Sequence, residues 1–190
     1  MSRARHSSRG VAVALALGAL SVGGAACGPF SSDYLWSDDF EGPLCEGAPC
    51  GWTRLAGAPE SARWSQSLPG EHGLTLEGNG VIVSNDLGLT LALSTFDSSL
   101  ALDLIARCDL DSSLTVEIGA TEDVTGAPLG YSPTRLRVLT SWTEGRPNAA
   151  AFPSSASSLR SLDTLTIAKS GDGVCEVDFI GFIDNSFRGF

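Results

Sequence analysis

An antiparallel β-sandwich or barrel is the fold class that the sequence predicts for residues 34–190. Apolar residues recur at every second position through most of this region, the spacing at which alternate side chains of an extended strand share one face. Clusters of Gly, Pro, Ser and Asp separate these alternating runs, as turn residues separate strands. No run with helical periodicity follows residue 26. We therefore expect roughly nine to eleven short strands in one all-β domain.

The first 26 residues are typical of a cleaved export signal. Arg3, Arg5 and Arg9 precede an apolar run that is too short to span a bilayer and that ends in small residues. Residues 24–27, Gly-Ala-Ala-Cys, resemble the lipobox of bacterial lipoproteins, although that family usually has a leucine at the position of Gly24. The resemblance implies a signal peptide over 1–26, acylation of Cys27 and a tether over 27–33. Cleavage with release of the chain is the alternative.

The charge of the mature chain argues against two kinds of contact. Loss of the three signal arginines lowers Lys+Arg from 12 to 9 against 22 Asp+Glu, which gives a net charge of −13. Phosphate groups and anionic lipid heads repel such a chain, so we expect no nucleic-acid binding and membrane attachment through the acyl chains alone. Since Gly28 rather than aspartate follows Cys27, the lipoprotein resemblance implies an outer-membrane location in a Gram-negative cell.

Five cysteines leave an even number once Cys27 is acylated. The remaining four can form two disulfides in an oxidising compartment, with three possible pairings. We favour Cys45 with Cys50, which are close in sequence, and Cys108 with Cys175, which lie in strand-like runs. The alternation places Cys108 and Cys175 on the apolar faces of their runs, so both thiols should point into the core. The long bridge should stabilise the domain by about 4 kcal/mol and the short one by about 2 kcal/mol.

The predicted strands follow one another along the whole domain. The first includes Tyr34 and Trp36, and a second, over residues 51–55, follows the loop that carries Cys45 and Cys50. The later alternating runs are centred on residues 74–76, 87–93, 100–108, 114–118, 136–142, 165–167 and 174–183. Residues 121–133 and 143–160 read as loops, and long loops in compact β domains are frequently functional.

Three segments resemble the jelly-roll carbohydrate-binding modules of the galactose-binding-like type. These segments are residues 39–42 with Gly51 and Trp52, residues 69–78, and residues 174–182. They resemble that family's opening Phe-Glu strand with its Gly-Trp, its second strand with a preceding glycine and histidine, and its closing strand with an aspartate among hydrophobic residues. Because they are spread over the mature chain, the resemblance implies a jelly-roll sandwich for the whole domain.

The same resemblance implies a structural calcium. In that family the opening glutamate and the closing aspartate often bind the ion, and these correspond to Glu41 and Asp178 here. Backbone carbonyls would complete the oxygen shell that calcium prefers. The alternative is that both are solvated acids at strand edges.

Aromatic side chains are the candidate sugar contacts, because a flat ring covers the apolar face of a pyranose. Trp64 and Tyr131 are expected to be exposed on loops and are the predicted ligand-binding residues. Trp142 lies on the apolar parity of its run and is expected in the core, and Trp52 is assigned to the core by resemblance.

An enzymatic activity is not expected. His72 is the single histidine of the mature chain, and the resemblance places it at the start of a strand. Neither a nucleophile elbow nor a His/Cys cluster with zinc spacing occurs. We therefore expect an exported, lipid-anchored module that binds carbohydrate. The alternative is a structural or protein-interaction lipoprotein of the envelope that offers a sheet face or the 143–160 loop to a protein partner.

Overall fold

The computed structural model of the chain describes residues 34–42, 44–45, 48–68, 71–91, 100–133, 138–142, 148–152 and 157–184. At residues 44–45, 48–49, 66–68, 148–151 and 184 only the backbone is described. The predicted signal peptide, Cys27 and the tether lie outside these ranges. Within them, no helix combines the length and the apolar character needed to cross a membrane.

The described residues form thirteen strands and confirm the all-β prediction. The strands are β1 (Trp36–Asp38), β2 (Leu44–Cys45), β3 (Ala48–Pro49), β4 (Trp52–Ala56), β5 (Ala62–Leu68), β6 (Glu71–Glu77), β7 (Val81–Thr90), β8 (Leu100–Cys108), β9 (Ser113–Glu122), β10 (Pro128–Tyr131), β11 (Asn148–Ala151), β12 (Leu159–Ser170) and β13 (Val174–Asp184).

Two antiparallel sheets form the sandwich. One has the strand order β11-β8-β13-β6-β5, with β1 also paired to β13, and the other has the order β10-β9-β12-β7-β4. The small β2-β3 pair stands apart from both. Strand β13 is central because it pairs with β8 on one side and with β6 and then β1 on the other.

The inner faces of the two sheets carry the core. Leu102, Leu104 and Phe182 of the first sheet and Ile118 and Leu165 of the second are completely buried. Each such side chain stabilises the fold by about 1.5–3 kcal/mol relative to an exposed one. The predicted alternation of apolar residues is therefore the alternation between the core and the two outer faces.

One predicted disulfide is confirmed and the other is partly described. Cys108 and Cys175 are bonded and nearly fully buried. Cys50 is also disulfide-bonded, but the side chain of Cys45 lies outside the described residues, so the pairing of Cys45 with Cys50 stays a prediction.

Several element assignments from the sequence were wrong. Trp64 lies in β5 and Tyr131 in β10, where loops were expected, and β11 falls inside the expected 143–160 loop. Conversely, the described part of the 136–142 run contributes only an isolated parallel bridge from Leu139 to Arg107. Short strands with few apolar residues carry too weak an alternation to be recognised.

Three turns meet at one end of the sandwich, which we call the three-turn end. They are residues 78–80, 109–112 and 171–173. The Lys169 ammonium donates to the carbonyl oxygens of Gly78 (2.7 Å) and Gly171 (2.6 Å), and the Gly171 N–H donates to Asn79 Oδ1 (3.0 Å). Gly171 has φ +90°, and a Cβ there would lie 2.0 Å from the Asp111 carbonyl oxygen, so only glycine fits.

The chain enters the sandwich at the opposite end, which we call the entry end. The Leu35 N–H donates to the Phe182 carbonyl oxygen (2.8 Å), and β1 runs antiparallel to β13 from there. The 123–127 turn after β9 lies at this end too, because Glu122 pairs with Leu159 while Ser113 pairs with Ser170 at the three-turn end.

Candidate functional site

The outer face of the five-stranded sheet lacks aromatic side chains among its described residues. Its outward positions are mostly small or hydroxylated: Thr53, Ser84, Thr115, Gly119, Gly130, Thr164 and Thr166. Asp86 and Glu117 are its exposed charges. The residues that the structure describes on this face therefore offer no large ring with which to cover a sugar.

The outer face of the six-stranded sheet is different, because a charged pair crosses it. Arg107 of β8 and Glu176 of β13 are register partners, and Arg107 Nε donates to Glu176 Oε2. The exposed fraction of the side chain is 40% for Arg107 and 15% for Glu176. The ion pair is thus accessible from one side, through the arginine.

Trp142 packs against this pair. The guanidinium carbon of Arg107 lies 4.9 Å from the centre of the Trp142 ring, a cation–π contact. The segment 138–142 is held beside β8 by the Cys108 N–H, which donates to the Leu139 carbonyl oxygen (3.0 Å). The expectation that Trp142 is a core residue was wrong, because this segment lies beside the sheet and the ring is only half-buried.

The indole N–H of Trp142 is buried and has no acceptor among the residues that the structure describes. A buried donor without a partner costs about 1–3 kcal/mol.

A cleft of about 370 Å³ opens beside the pair and is lined by Arg107, Cys108, Asp109, Thr140, Val174 and Glu176. We call it the Arg107 pocket. Its volume is within the range of small-molecule sites. Asp109 Oδ2 accepts the Val174 N–H (2.7 Å), which fixes that wall. The lining therefore combines donors, acceptors and an adjacent aromatic ring.

Tyr34 covers the other half of the same face. Its ring meets the ring of Phe179 edge to face, with the centroids 5.2 Å apart, and its hydroxyl donates to Asp103 Oδ2 (2.8 Å). A Cβ on Gly181 would lie 2.7 Å from the Tyr34 ring. The Tyr34 ring therefore covers this half of the face. The Arg107 pocket lies on the other half, at the three-turn end.

Trp64, a predicted ligand-binding residue, lies on β5, an edge strand of the six-stranded sheet. Its ring stacks on His72 with the centroids 3.7 Å apart, and its Nε1–H donates to the Phe40 carbonyl oxygen (2.9 Å). His72 thus packs as a structural histidine. With one face and the indole N–H of Trp64 engaged, any ligand contact would use the other face, and that role stays a prediction.

Tyr131 is 8% exposed and belongs to the core cluster. Its predicted exposure on a loop was wrong, because β10 pairs with β9 and turns the ring inward at the register of Ile118. A ring in this position has no open face for a sugar.

Asp38 joins β1 to the sandwich. Trp52 Nε1–H donates to its Oδ2 (2.7 Å), and the Phe40 N–H donates to its Oδ1 (2.8 Å). Burial raises the pKa of Asp38, and these two hydrogen bonds oppose that shift. Phe40 is 1% exposed and has a left-handed backbone, with φ +58°, and the bond from its N–H helps to hold that conformation. Trp52 is a core residue, as the resemblance implied.

The predicted calcium ligands are Glu41, which follows β1, and Asp178, which lies on β13. Glu41 accepts the His72 N–H at one oxygen, and its Oε2 lies 3.2 Å from His72 Nδ1. Asp178 falls between Val177, the last partner of β6, and Ile180, a partner of β1. No three His, Cys, Asp or Glu residues of the described chain form a group that could hold a metal. Two carboxylates and backbone carbonyls would have to make such a site, a donor set that calcium accepts.

Neither a family model nor a curated protein matches the sequence, but 51 solved chains match in structure. One is the CBM22-1–GH10 part of xylanase 10B from Clostridium thermocellum, complexed with xylohexaose (14% identity, TM-score 0.56, 82% of this chain and 30% of that chain). Another is the CBM22-1 xylan-binding domain of Paenibacillus barcinonensis Xyn10C (16%, 0.52, 80% and 94%).

The C-terminal family 22 carbohydrate-binding module of the same Clostridium thermocellum xylanase is similar as well (12% identity, TM-score 0.52, 82% of this chain and 96% of that chain). The chain thus spans less than a third of the two-module xylanase fragment but nearly all of each single module. Identities this low show the fold alone. The predicted antiparallel jelly-roll sandwich is confirmed.

Proposed function

We propose that the protein is an exported, lipid-anchored, non-catalytic module that binds carbohydrate in the Arg107 pocket. The observation that carries the proposal is the contrast between the two outer faces. A half-buried tryptophan, a charged pair and a cleft occur together on the six-stranded sheet, whereas the described outward residues of the five-stranded sheet are mostly small or hydroxylated and include no aromatic ring.

The chemistry of the pocket suits a hydroxylated ring. Arg107 keeps donors beyond the Nε–H that it gives to Glu176, and Thr140 can donate or accept. Trp142 lies next to Arg107 at the edge of the pocket, and the exposed part of its ring can cover an apolar sugar face. One arginine and two acids, Glu176 and Asp109, line the pocket and give it a formal charge of −1, which favours a neutral sugar over an acidic one.

Two observations support a binding role over catalysis. Glu176 is engaged by Arg107, and Asp109 accepts the Val174 N–H. Both carboxylates of the pocket are thus held by structural partners, whereas a general acid or base must be able to exchange a proton with its substrate.

Export and anchoring rest on the sequence of the first 27 residues, with their arginines, apolar run and lipobox-like Cys27. A buried disulfide between Cys108 and Cys175 is in keeping with an oxidising compartment. We place the mature domain at the cell envelope, at the outer membrane if the cell is Gram-negative.

Glu41 and Asp178 are proposed to hold a calcium ion that joins the entry strand to β13. The support is that Glu41 contacts His72 near the start of β6 and that Asp178 lies on β13 between the residues that pair with β6 and those that pair with β1. An ion bound by both carboxylates would relieve the repulsion between them. The ion would be structural and takes no part in ligand binding.

A glycan array followed by calorimetry on soluble polysaccharides tests the function. Xylan is the first probe, because two of the similar structures are described by xylan or xylohexaose. Trp142→Ala should weaken binding by at least about tenfold, the loss expected for an aromatic anchor. The matched control is Thr166→Ala on the other outer face, which should bind like the wild type. A broad array and polysaccharide pull-down without any binding would refute the proposal.

A further inference from the structure

The Arg107 pocket and the point at which the chain enters the fold lie at opposite ends of the same two strands. Val174 and Glu176, which line the pocket, begin β13, and Asp109 follows the end of β8. Leu35 is bonded to Phe182 near the other end of β13. Phe182 is six positions after Glu176 on β13, so the pocket stands about 20 Å from the entry point along the sheet.

The direction of β1 places its first residues at the end remote from the pocket. Because β1 is antiparallel to β13, with Trp36 opposite Phe182 and Asp38 opposite Ile180, Trp36 lies nearer the entry end than Asp38. Tyr34 is itself fixed there by Phe179 and Asp103. An anchor at Cys27 therefore pulls on the end that is remote from the pocket.

The tether is short compared with this separation. Seven residues reach at most about 24 Å when fully extended, and about 15 Å as a flexible coil. The entry end must stay close to the membrane, and the pocket lies about one sheet length farther out.

We infer that the anchored protein directs the Arg107 pocket away from its own membrane and takes a polysaccharide from the surface or medium opposite, rather than a glycan linked to lipids of the same bilayer. The inference rests on the proposed function. It adds the side from which the ligand arrives.

The test reverses the orientation of the protein on vesicles. Two exposed apolar residues offer matched attachment points: Val124, 83% exposed in the turn at the entry end, and Leu110, 89% exposed in a turn at the three-turn end. Val124→Cys and Leu110→Cys are each made in the mature chain with Cys27→Ser and coupled to a maleimide lipid in vesicles. Capture of these vesicles by xylan-coated beads is compared with capture of vesicles that carry the lipidated wild type.

Capture should be similar for the wild type and the Val124→Cys attachment and at least about tenfold weaker for the Leu110→Cys attachment, because avidity is lost where geometry prevents engagement. The N-ethylmaleimide adduct of Leu110→Cys must still bind soluble xylan, which shows that its pocket is open. In a second experiment, the vesicles that carry the lipidated wild type also contain lipid-linked xylohexaose. This sugar should not reduce the capture of the vesicles by the xylan-coated beads.

Equal capture in both orientations, or competition by the lipid-linked sugar, would overturn the inference while leaving the proposed function intact. If the uncoupled chain binds no polysaccharide at all, the proposed function fails and this inference fails with it.

Discussion

Cys108 and Cys175 are direct register partners on the antiparallel strands β8 and β13, and their disulfide lies beneath the ion pair of their neighbours Arg107 and Glu176. The sulfurs face the core and the charges face outward, because successive side chains of a strand point to opposite faces. The bridge fixes the register on which the pocket depends.

Removal of this bridge by Cys108→Ala with Cys175→Ala should lower the free energy of unfolding by about 2–4 kcal/mol, because the unfolded chain loses a cross-link between residues 67 apart. Urea denaturation of the oxidised proteins measures the difference. The comparison is the variant with both Cys45→Ala and Cys50→Ala. It should lose less stability, because a disulfide between Cys45 and Cys50 would close a shorter loop. A larger loss for that second variant would contradict the assignment of the long bridge as the more important one.

The alternation of apolar residues and the position of the long disulfide could be predicted, because both follow from the two-residue period of a strand. The Arg107–Glu176 pair could have been found from the same reasoning. If Cys108 and Cys175 pair across antiparallel strands, the residue before one and the residue after the other must be register partners on the opposite face.

Trp142, Tyr131 and Trp64 show where the sequence was insufficient. Trp142 follows the apolar alternation of residues 136 and 138. The described part of that run, residues 138–142, forms only an isolated bridge to β8, so the alternation does not separate the two faces of a sheet there. Tyr131 is turned inward by its pairing with β9. The N–H of Trp64 bonds to a carbonyl 24 residues away, a contact that no local pattern specifies.

Asp38→Ala should destabilise the protein by about 2 kcal/mol, because the Trp52 and Phe40 N–H groups lose their acceptor. Thermal and urea unfolding measure this. Asp39→Ala is the matched control, since its exposed carboxylate accepts only the Glu41 N–H at 3.2 Å, and it should change stability by less than about 0.5 kcal/mol. Equal effects of the two substitutions would show that the Asp38 bonds do not hold β1 in place.

The pH dependence of Asp38 gives a second readout. Its pKa is raised in the folded protein, so the folded state binds the proton more tightly than the unfolded state. The contribution to stability is then present at low pH and is lost as the pH rises through the folded pKa. The stability of the wild type minus that of Asp38→Asn should fall across this acidic window. A difference that rises with pH would mean that hydrogen bonding outweighs burial.

Calcium should raise the melting temperature by several degrees relative to the protein in chelator, because an ion that binds only the folded state at 100 times its Kd adds about 2.7 kcal/mol. Glu41→Gln and Asp178→Asn should each remove this shift, whereas Glu117→Gln, on the exposed outer face of the five-stranded sheet, should retain it. Identical melting temperatures of the wild type with calcium and with chelator would eliminate the proposed site.

Lys169→Met should lower stability at neutral pH by about 2 kcal/mol, because the carbonyls of Gly78 and Gly171 lose charge-assisted donors and two turns lose their link. Burial lowers the pKa of Lys169, so between this lowered value and the ordinary 10.5 the unfolded chain binds more protons and stability rises with pH. The stability of the wild type minus that of Lys169→Met should therefore grow as the pH rises toward 10.

Arg54→Met is the control, because Arg54 also donates to a turn carbonyl, Gly57 O at 2.6 Å, but is exposed. Its substitution should leave the alkaline profile unchanged, and a flat difference for Lys169→Met would show that burial does not penalise its charge.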